Sequence, residues 1–209
     1  MGIIQSLQWR YATKKFDSKR TLSKEQLEVL KKAFNLTATS YGLQPVKLVI
    51  INDKALQKEL VLHSMGQQQV ADASHLLVFC IEDTIDADYI GNYFRRVKDI
   101  RKTPDEILSP FENFLKNDFE TKQVDDVHNW AKMQAYLAMG NLLTVCAVEQ
   151  IDACPMEGFL PEKYDQLLKL REMGLRSVLV LPVGFRAQDD VFSEFKKVRK
   201  ELSESVIEL

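Results

Sequence analysis

The stretch from Asp126 to Gln150 constrains this chain more than any other part of it. It reads as one long, mostly apolar helix in which Ala131, Ala135, Ala138 and Gly140 keep the surface smooth for close packing against another helix. A helix that is apolar around most of its circumference has to be surrounded, so it belongs at the centre of a folded unit. With 209 residues, 45% of them hydrophobic and 28% charged, the chain is long enough to surround it within a single domain.

The remaining segments supply that surrounding. Val46 to Ile51, His75 to Ile81 and Ser177 to Val183 read as strands rich in β-branched and apolar residues. Ser23-Lys-Glu-Gln26 is a capping box that opens an amphipathic helix running through Leu27, Leu30, Lys31 and Phe34 to about Leu36. Apolar side chains at 3, 4 and 7 and again by position 9 predict a short first helix, and a further helix is expected from about Asp53 to His63. Thr37 to Pro45 and Ser64 to Gln69 read as polar loops. Residues 86–123 are charged and interrupted by Pro104 and Pro110, which predicts an excursion of several surface helices joined by turns. The last segment, about 190–209, reads as a charged arm anchored by Phe192, Phe195 and Val198, a composition suited either to packing on a neighbour or to partial mobility. No repeat or linker divides residues 1–209, and helices outweigh strands, so the fold class is α+β with a mostly buried sheet.

Composition also excludes whole classes of function. A net charge of −2 with both signs mixed along the chain argues against a surface for nucleic acid. The apolar runs are too short to cross a bilayer and the first residues lack the pattern of an export signal, so a soluble, cytoplasmic protein is expected. Cys80, Cys146 and Cys154 are odd in number, lie in apolar surroundings and lack CxxC spacing, which predicts buried reduced thiols. His63, His75 and His128 lack the spacing of a metal site and read as surface or packed residues, so no metal is expected. Neither a glycine-rich dinucleotide or phosphate loop nor a nucleophile elbow occurs, and the chain has only eight glycines.

Two basic clusters remain, Arg10 with Lys14 and Lys15, and Lys196, Lys197, Arg199 and Lys200. Each is either a solvated face or an anion site; Arg is well shaped to hold a phosphate at two points, with Lys adding a point charge. Pro155-Met-Glu-Gly158, just after the long helix, is either a simple turn or a place where a freed backbone N–H faces a ligand.

Taken in order, several pieces form a set: Arg10-Tyr-Ala-Thr-Lys14 with Phe16, Gln44-Pro45 before a strand, Asp72-Ala-Ser-His75 opening the next, Gly140-Asn141 in the long helix, Cys154-Pro-Met-Glu-Gly-Phe159, Val183-Gly184, and Lys197-Val-Arg199. Across nearly the full chain this set resembles the oxygen-insensitive nitroreductase and dihydropteridine reductase branch of the nitroreductase family. The resemblance implies an α+β nitroreductase-like fold with a central, mostly antiparallel sheet flanked by helices. It also implies a domain-exchanged homodimer, with one FMN per subunit at the interface and the C-terminal arm on the partner. By the same resemblance Arg10, Lys197 and Arg199 clamp the FMN phosphate, and Lys14 lies near the flavin N1/O2 edge, where its charge raises the flavin potential. Tyr11 and Ala12 belong to the same flavin-binding segment. Thr39, Ser40 and Gln44 match a loop reaching over the flavin from the second subunit. Pro155, Glu157 and Gly158 match the turn on the opposite face, with the Glu157 backbone N–H toward N5, and Gln67 or Gln69 fits contacts to the pyrimidine or ribityl part.

The sequence departs from the family pattern in three places. Tyr11-Ala12 stands where a basic or His residue followed by Ser is usual, Val46 where an aromatic often follows Gln-Pro, and Tyr41-Gly42 where a more polar pair is found. The family's aromatic gate falls in the region Phe111 to Phe119. The implied reaction is ping-pong, in which NADH or NADPH gives a hydride to flavin N5 and leaves before a nitroaromatic, quinone, pterin or flavin acceptor takes the electrons. No side-chain acid or base is required. The alternative is a flavin-binding or redox-sensing protein without efficient turnover.

Overall fold

The computed structural model describes residues 2–209. Four antiparallel strands, β1 (Val46–Ile51), β2 (His75–Glu82), β3 (Asp152–Ala153) and β4 (Leu175–Gly184), form one sheet in the order β1-β2-β4-β3. Side chains alternate across it. Leu77, Phe79 and Ile81 of β2 join Leu179, Leu181 and Val183 of β4 in one cluster, while Leu76, Val78, Cys80 and Val180 join a second cluster on the other face. Because both faces are covered, β2 is apolar along nearly its whole length instead of alternating with polar residues. The pairing of β2 with β4 shifts between Phe79 and Cys80.

Nine α-helices complete the described residues: α1 (Ile3–Trp9), α2 (Lys24–Asn35), α3 (Lys54–Val61), α4 (Gln69–Asp72), α5 (Ala87–Arg101), α6 (Asp105–Thr121), α7 (Val124–Val148), α8 (Pro161–Leu167) and α9 (Leu202–Ser205). The α2 capping box forms as expected, with Gln26 N–H donating to Ser23 Oγ at 3.2 Å and Ser23 N–H donating to Gln26 Oε1 at 3.0 Å. Helix α7 lays Val127, Ala131, Ala135, Ala138, Leu142 and Cys146 as one buried stripe on the first cluster. Gly140 departs from the expectation of close packing: it lies on the exposed face, and a Cβ added there would meet nothing within 4 Å. Met133, Tyr136 and Leu137 share that exposure. Helix α1 is reversed in the same sense, with Ser6 buried and Ile3, Ile4 and Leu7 exposed.

Pro110 does not interrupt the chain; it sits inside α6, which continues at the cost of the hydrogen bond its missing N–H would have made. Segment 86–123 is also more than surface, because the helical period aims Ile90, Phe94, Leu115 and Phe119 into the first core cluster. In the arm, Phe192, Phe195 and Val198 are exposed, and so are Leu202, Val206 and Ile207, apolar residues that the sequence reading left out. The three cysteines are free and buried, and burial pushes the Cys80 and Cys146 thiols up to about 12. Among the described residues no helix is long and apolar enough to cross a membrane.

At the end of β4 the sheet is packed too closely for a side chain. A Cβ on Gly184 would stand 2.9 Å from the Ser74 backbone N and 3.2 Å from a Phe16 ring carbon. Gly184→Ala is expected to cost about 1–3 kcal/mol by overpacking, read as a lower urea midpoint with an unchanged slope. An unchanged midpoint would show that the strand end relaxes freely.

Candidate functional site

The first basic cluster sits where α1 ends. Arg10 caps the helix, its N–H bonded to Ser6 O at 3.1 Å, and the chain then runs extended beside β3, with Ala12 bridging Ala153 and Thr13 N–H donating to Ala153 O at 3.3 Å. Two buried acids hold this segment in place. Asp190 accepts from Tyr11 Oη at 2.8 Å and from the backbone N–H groups of Lys14 and Lys15 at 3.1 Å each. Burial opposes the charge of Asp190, but the Tyr11 hydroxyl and these N–H groups outweigh it and hold the carboxyl below its ordinary range. Asp152 accepts from Arg186 Nε at 2.7 Å and from the Arg186 backbone N–H at 2.8 Å, while the guanidinium lies over the rings of Trp9 at 4.3 Å and Tyr11 at 4.6 Å.

The second basic cluster folds back onto the first. Lys197 Nζ donates to Arg10 O, and Arg199 is close enough for its charge to act on Arg10. Burial and then Arg199 lower the proton affinity of Arg10, while burial followed by Arg10, Arg199 and Arg186 lowers that of Lys197. Among the described residues, no carboxylate forms a salt bridge with Arg10, Lys197 or Arg199. Three like charges gathered without a counterion are poised to bind an anion with more than one negative charge.

A second group of the expected residues meets at the turn after β3. Met156 and Val180 exchange backbone hydrogen bonds of 2.8 and 3.1 Å, which pins the turn to β4 and leaves 157 and 158 projecting. The N–H groups of Glu157 and Gly158 have no acceptor among the described residues. Gln67 Nε2 donates to Gly158 O at 3.1 Å, and Gln69 Nε2 donates to Gln67 Oε1 at 2.9 Å and lies 3.8 Å from Cys154 Sγ. A Cβ on Gly158 would crowd Gln67 Nε2 at 3.0 Å and Met65 Sδ at 3.2 Å, both ends of flexible side chains that would have to shift. Burial raises the Cys154 thiol, with Lys14 and Arg10 acting against it, so both cations stand near the same turn. Pro155 is half-buried, and the Glu157 side chain faces Tyr136 of α7, where it helps to keep that phenol protonated after burial has done most of the work.

Thr39, Ser40 and Gln44 lie elsewhere in the chain, and no hydrogen bond joins them to the basic cluster. Their loop is internally braced: Gln44 N–H donates to Thr39 Oγ1 at 3.0 Å, Gln44 Nε2 to Asn35 O at 3.0 Å, and Ser40 N–H to Gln134 Oε1 at 2.8 Å. Tyr41, Gly42 and Gln44 have left-handed backbones with φ of 57°, 73° and 51°, a concentration of strain typical of functional loops. Tyr41 stacks on Trp130 and meets Phe111 edge-on, so the Phe111–Phe119 region does stand against this loop.

Asp152, Arg186 and Asp190, which set the shape of the basic segment, were missed in the sequence. Their partners lie 34 to 179 positions away, so no local spacing links them. The one local signal was Asp190 ahead of Val191-Phe192, an aspartate placed to cap the short turn it opens, which it does through the Phe192 N–H at 3.2 Å.

The sequence signature of the Nitroreductase family matches residues 7–185, from within α1 to just beyond β4. This chain belongs to the nitroreductase family. A Staphylococcus aureus relative, named as an NAD(P)H nitroreductase, is 34% identical over 215 residues, spanning 98% of this chain and 95% of its own. The fold of this nitroreductase matches the crystal structure of the ydfN nitroreductase of Bacillus subtilis with a TM-score of 0.87 at 18% identity, covering 99% of this chain and 98% of that one. An Exiguobacterium sibiricum nitroreductase crystallised in complex with FMN matches with a TM-score of 0.83 at 16% identity, over 100% of this chain and 98% of its own. The α+β architecture of the nitroreductase, an antiparallel four-stranded sheet between helices, is therefore the family's fold.

Proposed function

We propose that this nitroreductase is a cytoplasmic, homodimeric, FMN-dependent NAD(P)H oxidoreductase that reduces nitroaromatic, quinone, pterin or flavin acceptors by a ping-pong mechanism. The observation that carries the reading is the cluster of Arg10, Lys197 and Arg199 without a carboxylate partner, with Arg10 near enough to act on Cys154 at the head of the turn that carries the free N–H groups of Glu157 and Gly158. A phosphate fits the first feature and a ring acceptor atom the second. FMN held there by Arg10, Lys197 and Arg199 would supply hydride-transfer chemistry between NAD(P)H and the acceptor. The protein's own work is to neutralise the phosphate with Arg10, Lys197 and Arg199, to keep a positive charge near the ring with Lys14, and to orient the ring edge with the Glu157 N–H and the Gln67–Gln69 pair. None of these groups moves a proton. The names of the Staphylococcus aureus relative and the FMN-bound Exiguobacterium sibiricum protein agree with this assignment.

Exposed apolar surface supports the homodimer. Ile3, Ile4 and Leu7 of α1, Met133 and Leu137 of α7, and the apolar residues of the 190–209 arm are all exposed, and pairing of two chains would cover such side chains. In such a pair the Thr39–Gln44 loop of one protomer reaches over the flavin held by the basic cluster of its partner. The test is the visible spectrum of the purified protein, before and after anaerobic NADH or NADPH. Flavin absorbance that bleaches with a nicotinamide and returns with an acceptor is expected. A protein still colourless after incubation with FMN would overturn the reading, and flavin that stays oxidised would favour the redox-sensing alternative.

A further inference from the structure

A cavity of about 410 Å³ opens beside the Thr39–Gln44 loop, between the end of α2, β1 and α5, within the size range of small-molecule sites. Its walls combine three kinds of chemistry. Phe34 and Tyr93 offer aromatic surface, Asn35 and Asn92 offer amides, and Arg96 brings a charge that pairs with no carboxylate among the described residues. The other two charges in the wall cancel, since Lys47 Nζ lies 3.2 Å from Glu82 Oε1. The mouth is rigid. Tyr89 Oη donates to both Leu43 O and Gln44 O at 2.9 Å, and Gly42 faces Tyr93 so closely that a Cβ would come within 2.6 Å of its hydroxyl.

We infer that this cavity holds the adenosine half of the nicotinamide dinucleotide, with Arg96 on its phosphate. The inference rests on the proposed function, because Thr39 and Gln44 are both cavity wall and expected flavin contacts. Because the loop is common to both, a dinucleotide whose nicotinamide lies on the flavin would extend its other half along Thr39 and Gln44 into this recess. The aromatic faces suit a purine, the amides suit its edge, and the unpaired guanidinium suits a phosphate. Arg96 is exposed and engages no core residue, so replacing it leaves the fold in place.

The test is calorimetric titration of the purified full chain, loaded with FMN, by adenosine 2′,5′-bisphosphate and by 5′-AMP. The bisphosphate is expected to bind the natural protein and to bind Arg96→Gln about tenfold more weakly or worse, with part of the loss recovered in Arg96→Lys. The KM for the dinucleotide should rise by a similar factor in Arg96→Gln while kcat holds. Strong preference for the bisphosphate places Arg96 on the 2′-phosphate of NADPH; equal binding of 5′-AMP, still sensitive to Arg96, places it on the pyrophosphate end. No binding by the natural protein, or equal binding by Arg96→Gln, overturns the inference. Neither fragment carries a nicotinamide, so that failure is separate from the bleaching that tests the reductase reading.

Discussion

Arg10→Gln protein should leave purification with most of its flavin missing and bind added FMN about ten- to a hundredfold more weakly than the natural chain. Each charge-assisted hydrogen bond to a phosphate contributes about 1.5–3 kcal/mol, and Arg10 is the least exposed of the three cations. Quenching of flavin fluorescence on titration measures the affinity directly. The stability of the flavin-free protein should move the other way or not at all, because removing one of three crowded like charges relieves repulsion. Lys15→Gln is the control, since that side chain is turned to Asp189. Equal FMN affinity in Arg10→Gln and natural protein would remove the phosphate from this cluster.

Asp152→Ala is expected to lower global stability by about 3 kcal/mol, or a midpoint shift of about 6–12 °C in a domain of this size. The loss comes less from the ion pair itself than from what remains, a mostly buried Arg186 guanidinium with its counterion gone. Because Arg186 also lies over Trp9 and Tyr11, the segment that presents Arg10 should loosen, and FMN affinity should fall with stability. A thermal scan of flavin-free and FMN-loaded protein separates the two effects. A midpoint within a degree of the natural protein would mean that water or another acceptor satisfies Arg186.

How much of the site could be read in advance depended on how local its parts were. The Ser23 cap, the apolar runs of β1, β2 and β4 and the long helix α7 were legible, because capping and periodicity are contacts between near neighbours in sequence. The two-residue strand β3 and the helix α8 were not read, the first being too short for any pattern and the second a single run begun at Pro161. Gly140 reads as part of a packing surface and the apolar residues of α1 as one helix face, yet the single chain leaves Gly140, Ile3, Ile4 and Leu7 exposed. Periodicity tells which residues share a face and is silent on what covers it. Pro110 was given too much weight, since one proline removes one hydrogen bond and the packing of α6 on α5 outweighs that.

By itself, then, the sequence determined the α+β class, the buried strands, the central helix and the two runs of basic residues, each set by short-range propensity and by the need to bury apolar surface. Tertiary structure alone decided that Arg10, Lys197 and Arg199 face one another, that Gln67 and Gln69 meet Gly158, and that Asp152 and Asp190 hold the segment between. Those contacts span many tens of residues. Their geometry follows from how the folded chain brings the end of α1, the turn after β3 and the C-terminal arm together, so that charges placed far apart in sequence come to act on one another.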